Sequence, residues 1–217
     1  MGLSALADLT PGFLLSIFPH RMIFIRHGET AYNAEGRLQG QRDIALNDVG
    51  RTQAVAVGKL LKERCFDAVQ ALDEAGQFRA SPLVRVRETL ELARDALGLD
   101  PLHYTVEPQL IEISFGRWEG LLLDQVDQVS PGATARRNQD KWDFTPPGGE
   151  SYAMLAARLT PWLQAQTGDR FVAAHGGVAR AFLALIAGMA PEDAANADIR
   201  QGAALLFENN AFSWIGA

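Results

Sequence analysis

Arg26-His27-Gly28 and His175-Gly176-Gly177 are the two places where an imidazole follows directly on an apolar run, MIFI at residues 22–25 and FVAA at residues 171–174. A histidine near neutral pH can attack an electrophile, move a proton or donate to an anion. Apolar runs of this length read as strands buried on both faces of a parallel sheet. In open α/β sheets, ligands collect beyond the carboxyl ends of the strands, so two histidines at two such ends would converge. The glycines let the backbone turn sharply toward helix starts, whose free N–H groups favour an anion. Phosphate or a similar oxyanion is the occupant these residues suit. The chain has four histidines; His20 and His103 lack this context and read as surface residues.

The elements that would position the two histidines are legible on either side of them. Residues 47–63 place Val49, Ala54, Val57, Leu60 and Leu61 on one helical face, with Asn47 as N-cap. Residues 82–98 have Ser81 as the expected cap, Pro82 at the first helical position, Leu83, Val86, Leu90, Ala93 and Leu97 at helical spacing, and Gly98 after them. Residues 149–165 align Leu155, Leu159 and Leu163, with Pro161 expected to kink or interrupt the helix. Residues 176–188 bring Val178, Phe182, Leu185 and Ile186 together, and ALLFE and FSWIG form an expected edge hairpin across Asn209-Asn210. The expected fold is a three-layer α/β sandwich, a mostly parallel sheet with helices on both faces. Residues 112–147, rich in Gly, Pro and polar residues, are the least regular stretch and are expected to fold over the site as a substrate lid.

Composition narrows the function classes. The chain has 217 residues, 47% of them hydrophobic, which suits one large domain at residues 22–217 preceded by an extension at residues 1–21. FLLSIF within that extension is too short to span a bilayer, so no membrane role is expected. A formal charge of -6 argues against a broad nucleic-acid-binding face. One cysteine, Cys65, allows neither an internal disulfide nor a thiolate metal cage, and suits the cytoplasm. Oligomeric state is not encoded legibly.

FIRHGETAYN resembles the signature of the histidine phosphatase superfamily, also called the phosphoglycerate mutase-like family. RLQGQRDIALNDVGRTQA resembles the stretch after that signature, SPLVRVRET the second arginine motif, LIEISFGRWEG the acidic motif, PPGGES a helix start and AAHGGVAR the second histidine motif. The resemblance covers about residues 22–208, and these motifs occur in the expected order and spacing. It implies a phosphoglycerate mutase-like fold and a phosphomonoesterase acting on a small phosphorylated metabolite. It also implies His27 as a transiently phosphorylated nucleophile, Arg26 and Arg85 as guanidinium forks on the phosphoryl oxygens, and His175 as a further donor, expected to be positively charged. Asn33 and, more remotely, Gln39 would contact the phosphoryl group, with Gly176 at the anion-facing helix start. Glu112 would be the proton donor, with a raised pKa, and Glu119 a structural residue in a turn. Read without the resemblance, Arg85 lies off the apolar face and is an ordinary surface arginine.

The segment from Phe66 to Ser81 is longer than the family's usual short strand, and a loop is expected around Asp73 to Gly76. Two histidines and Glu112 could in principle hold iron. Arginines beside a divalent cation would oppose it by about 1 to 4 kcal/mol per pair at surface-like dielectric, so neither metal nor other cofactor is expected. A phosphoglycerate mutase-type transfer is the alternative activity and a non-catalytic phosphate-binding module the third possibility. FGRWEG and the short chain resemble the phosphatase branch. Arg136, Arg137 and Lys141 read more readily as a solvated face than as a second anion site.

Overall fold

The hydrophobic alternation along the strands divides the protein into two apolar layers on either side of one sheet. The computed structural model describes residues 17–216. Six strands, β1 (Met22–Arg26), β2 (Phe78–Ala80), β3 (Thr105–Val106), β4 (Arg170–Ala174), β5 (Ala204–Glu208) and β6 (Ala211–Ile215), lie in the order β3-β2-β4-β1-β5-β6. β1 is parallel to β4, β4 to β2 and β2 to β3, whereas β5 runs antiparallel to both β1 and β6. Met22, Phe24, Val172, Ala174, Leu205 and Phe207 face one layer; Ile23, Ile25, Phe171, Ala173 and Ala204 face the other. This is the period of two that a strand imposes. The mostly parallel three-layer sandwich expected from the sequence is the observed fold.

The second layer is built by α2 (Asp48–Glu74) and α3 (Val84–Leu97). They approach closely because Gly58 has no Cβ: one added there would stand 2.4 Å from Ala93 O. Asn47 caps α2 by accepting from Gly50 N at 2.8 Å, as expected, but Val49 is exposed and Leu60 only half-buried. The first layer is built by α6 (Tyr152–Gln164), α7 (Gly176–Leu185) and α8 (Pro191–Asn196). Short α1 (Ala31–Ala34), α4 (Leu123–Val129) and α5 (Ala133–Gln139) complete the helices described here.

Four expectations are corrected by the packing. The segment after Phe66 is helical to Glu74, its axis breaking at Cys65, and only the turn at residues 75–77 remains a loop. Val69 is buried, and Asp73 accepts from the buried Arg94 at 2.6 Å, which ties this helical end to α3. Pro161 does not break α6, because Trp162 and Leu163 just beyond it are buried, with Trp162 stacked 6.1 Å from Phe182. The proline removes one backbone donor near the helix end, where little of the helix is left to disrupt. Helix α3 starts at Val84, so Ser81 is not its cap and Pro82 lies outside it; Asp43 accepts from Val84 N at 2.7 Å instead. Residues 112–147 carry a 3-10 turn (Gly116–Trp118), α4 and α5 around the buried Trp118, Val126 and Ala133, and are more regular than expected.

The edge hairpin forms as read, with Asn209 at φ 50° and Asn210 at φ 57°, the left-handed pair that a tight two-residue turn needs. The extension at residues 1–21 falls largely outside the described residues; Ile17 and Phe18 pack into the first layer. Among the described residues, no helix is long and apolar enough to cross a membrane.

Candidate active site

Three neighbouring strand ends supply the site. Arg26 closes β1 opposite Ala174, which closes β4, and His27 N–H donates to Ala174 O at 3.0 Å. His27 and His175 therefore leave the sheet side by side, with ring centroids 5.3 Å apart and planes at 62°. On the far side of β4, Ser81 N–H donates to Ala173 O at 3.1 Å, so the end of β2 adds Ser81 and then, in the first turn of α3, Arg85. Residues far apart in the chain become one cluster because β4 lies between β1 and β2.

His27 Nδ1 is 2.7 Å from Gly28 O. A carbonyl only accepts, so Nδ1 carries the proton and Nε2 keeps its lone pair. His27 is 3% exposed and His175 is fully buried. Burial, then the Arg85 charge and then that of Arg26 hold the His27 pKa well below its ordinary value. Burial, then Arg85, His27, Arg26 and Arg158 do the same to His175. Against the expectation of a charged His175, burial beside two guanidinium groups favours its neutral form. Its Nε2 is 2.7 Å from Ser81 Oγ, and its Nδ1 is buried without a partner. If Ser81 donates to Nε2, the neutral ring presents Nδ1–H to the space that it shares with His27.

These shifts have a stability consequence. In the unfolded chain both imidazoles protonate near pH ~6.5. Between that value and their lowered native values the unfolded state binds the extra protons, so stability is retained above ~6.5 and lost as pH falls, by up to about 1.4 kcal/mol per pH unit for each proton. Urea titrations at pH 7 and pH 5 should give a shallower pH slope for His175→Gln than for the parent protein. An unchanged slope would mean that His175 is not held neutral. Ser81→Ala leaves a buried His175 nitrogen without its partner and should lower unfolding stability by about 1 to 3 kcal/mol, measured from the denaturant midpoint.

Arg85, read from the sequence as off the apolar face, is fully buried. Its Nη1 donates to Arg42 O and its Nη2 to Gly40 O, both at 2.8 Å. Gln39, oriented to satisfy both sides, donates from Nε2 to Thr30 Oγ1 and accepts at Oε1 from Arg85 Nε at 2.6 Å. Gln39 is therefore positioned to hold Arg85. With five donors on the guanidinium, a hydrogen on Nη2 remains for an anion. Burial lowers the Arg85 pKa to about 10, which leaves it charged at neutral pH. Arg26 donates from Nη1 to Ile199 O at 2.6 Å, while its Nε is buried without a partner. Arg87 is exposed.

Glu112 accepts at Oε1 from Ile113 N at 3.0 Å and at Oε2 from Gly177 N at 3.2 Å, which brings the carboxylate to the start of α7. A Cβ on Gly177 would stand 2.3 Å from Glu112 Oε1 and 2.9 Å from Ile113 Cγ2, so any larger residue there would push the Glu112 carboxyl aside. Gly28 is more tightly constrained, since a Cβ there would meet backbone, Gly50 O at 2.3 Å. Glu119 accepts from Gln41 N at 3.0 Å and Phe115 N at 3.2 Å, stitching two loops together. Asn33 Oδ1 accepts from Thr30 N at 3.2 Å and from Gln201 Nε2 at 3.1 Å, which leaves Nδ2 as its remaining donor. Gly176 is the first residue of α7, directly after His175.

Four contributors were not legible in advance. Ser81 read only as a helix cap. Gln201 Nε2 donates to His27 O at 3.2 Å. Arg158, on α6, donates to Gln109 O at 2.5 Å and to Ile111 O at 3.1 Å and pairs with Glu150 at 3.2 Å, fixing the strand of chain that carries Glu112. PPGGES supplies that glutamate, but nothing local to the motif names its partner.

A profile described as the histidine phosphatase superfamily (branch 1) matches residues 22–213. The chain is 35% identical over 183 residues to a glucosyl-3-phosphoglycerate phosphatase of Mycobacterium tuberculosis, covering 76% of this chain and 74% of that one. It is 28% identical over 203 residues to a 2,3-bisphosphoglycerate-dependent phosphoglycerate mutase of Mesorhizobium japonicum, covering 90% and 95% respectively. A solved structure of a mycobacterial glucosyl-3-phosphoglycerate phosphatase in complex with VO3 superposes with a TM-score of 0.69 at 27% identity, covering 90% of this chain and 96% of that one.

Proposed function

Because the chain belongs to the histidine phosphatase superfamily, we propose that it hydrolyses small phosphomonoesters through a phosphohistidine on His27, without a metal. The observation that carries this reading is the pair of imidazoles at adjacent strand ends, 5.3 Å apart, with His27 Nδ1–H held by Gly28 O and Nε2 left with its lone pair. That nitrogen attacks phosphorus, and the bond to the leaving oxygen breaks as the N–P bond forms. Arg26, Arg85 and His175 Nδ1–H donate to the phosphoryl oxygens, while Asn33 Nδ2 and the start of α7 at Gly176 supply further donors. Glu112, entering protonated, gives its proton to the leaving alkoxide; as carboxylate it then takes a proton from the water that attacks phospho-His27. Gln39 acts one step back, by fixing Arg85.

Similarity to a phosphatase, at 35% identity, is greater than to a mutase, at 28%. The bound VO3 in the mycobacterial structure is the kind of oxyanion this cluster suits. Two guanidinium groups beside the histidines oppose a divalent cation. The cytoplasm is part of the same proposal and rests on the single cysteine. The deciding experiment follows phosphate release from a panel of phosphorylated metabolites in EDTA, with the His27→Ala protein as blank, alongside conversion of 3-phosphoglycerate to its 2-isomer. Release that EDTA leaves intact is expected. Isomerisation without release would favour the mutase, and activity lost to EDTA and restored by one metal would reject the metal-free mechanism.

A further inference from the structure

The proposed proton donor stands on a stretch of chain without regular structure. Residues 111–115 lie between the 3-10 turns at Pro108–Leu110 and Gly116–Trp118 and belong to neither a strand nor a helix. Their backbone groups find partners outside any ladder, and those partners decide where Glu112 sits. Gln41 Nε2 donates to Glu112 O at 2.9 Å. Glu150 grips Ser114 at both backbone groups: its N–H donates to Ser114 O at 2.8 Å, and its Oε2 accepts from Ser114 N at 3.0 Å.

Arg158 ties the two ends of this stretch together. Its Nη1 donates to Gln109 O at 2.5 Å and its Nη2 to Ile111 O at 3.1 Å, both ahead of Glu112. Its Nε reaches Glu150 Oε1 and its Nη2 reaches Glu150 Oε2, each at 3.2 Å, and Glu150 is the residue that holds Ser114 beyond Glu112. One planar guanidinium thus spans the chain on both sides of the acid. Its base is firm. Helix α6 starts after the buried Ser151, whose Oγ accepts from Met154 N at 3.1 Å, and Leu155 and Leu159, which flank Arg158 on that helix, are fully buried. A lysine at this position carries the same charge on a single nitrogen and cannot form the fork.

We propose that Arg158, locked to Glu150, is a positioning residue for proton transfer, acting on the reaction only through Glu112 by fixing the backbone that carries its carboxyl. This rests on the reading of Glu112 as the acid and base. The carboxyl itself makes no bond to Arg158; its oxygens accept from Ile113 N and Gly177 N, and that pair of contacts lasts only while the backbone of residues 112 and 113 stays in place against the start of α7. Proton transfer needs the carboxyl within hydrogen-bond reach of the leaving oxygen, and a misplacement of about 1 Å can cost about 10²-fold in rate.

The test is a double-mutant cycle on kcat for glycerol 3-phosphate, an alkyl phosphate, with Arg158→Lys, Glu112→Gln and both together. The lysine keeps the charge that also acts on His175 and removes only the fork. Arg158→Lys alone should lower kcat about 10- to 100-fold, with KM within about twofold of the parent value. The burst of p-nitrophenolate from p-nitrophenyl phosphate needs no donated proton and should keep its rate. In the Glu112→Gln protein the same change should cost less than about twofold, because the group that it misplaces is already gone. Glu150→Gln, which leaves the Arg158 bonds to both carbonyls, should give a smaller loss of the same pattern and serves as the second variant if Arg158→Lys yields too little folded protein. A full-sized loss in both backgrounds, a slowed burst, or an unchanged kcat would overturn the positioning role. Glu112→Gln with undiminished turnover would instead reject Glu112 as the acid, and the role of Arg158 with it.

Discussion

His27→Ala should reduce phosphate release by about 10⁴-fold or more, because it removes the atom that accepts the phosphoryl group while leaving the surrounding donors in place. The geometry makes this a sharp expectation. His27 Nδ1–H is committed to Gly28 O, so the ring cannot turn to offer the other nitrogen, and no second lone pair replaces Nε2. His175 does not substitute, since its Nε2 is engaged by Ser81. Labelled substrate quenched in alkali should leave phosphate on the parent protein, as an acid-labile phosphoramidate, and none on the variant. Retained turnover in a correctly folded His27→Ala protein, checked by circular dichroism, would remove the foundation of the proposed mechanism.

Glu112→Gln should lower turnover of alkyl phosphates by about 10²- to 10⁴-fold, the span expected for one positioned acid and base. The amide keeps the shape of the side chain and its oxygen can still accept from one of Ile113 N and Gly177 N, losing only the other contact, so the fold should be preserved. Leaving-group dependence separates proton transfer from a merely structural role. p-Nitrophenolate departs without a proton, so its first release should remain fast in the variant, as a burst of one equivalent per site, followed by slow turnover because the water attacking phospho-His27 has lost its base. Equal losses on both substrates with no burst would assign Glu112 to structure instead.

The residues that could be read directly are those whose role is local. MIFI and FVAA are buried strands because each side chain, on whichever face, meets a helix layer, and a continuous apolar run announces that. A histidine set immediately after such a strand has its place fixed by the chain itself. The asparagine pair at residues 209–210 specifies its own turn for the same kind of reason. Glu119 could be assigned to a turn for its neighbourhood in FGRWEG.

Other roles depend on partners that no local pattern names. Arg85 is buried because the carbonyls of Gly40 and Arg42, more than forty residues earlier, take its hydrogens; on the helix alone it faces away from the apolar stripe. Ser81 looks like a cap until β4 places His175 against it. The segment around Asp73 looks like a loop until Arg94 supplies the charge that holds it helical. Helix and strand propensities act over a few residues and are set by the order of side chains. Hydrogen bonds and burial across the sheet are set by which strands become neighbours, and that decides which polar groups lose water and which partners they must then find. The sequence by itself determined the strands, the turn and the two histidines at their ends; the sheet order decided that His175 meets His27 and Ser81, and the packing of the loop at residues 40–42 decided the burial of Arg85.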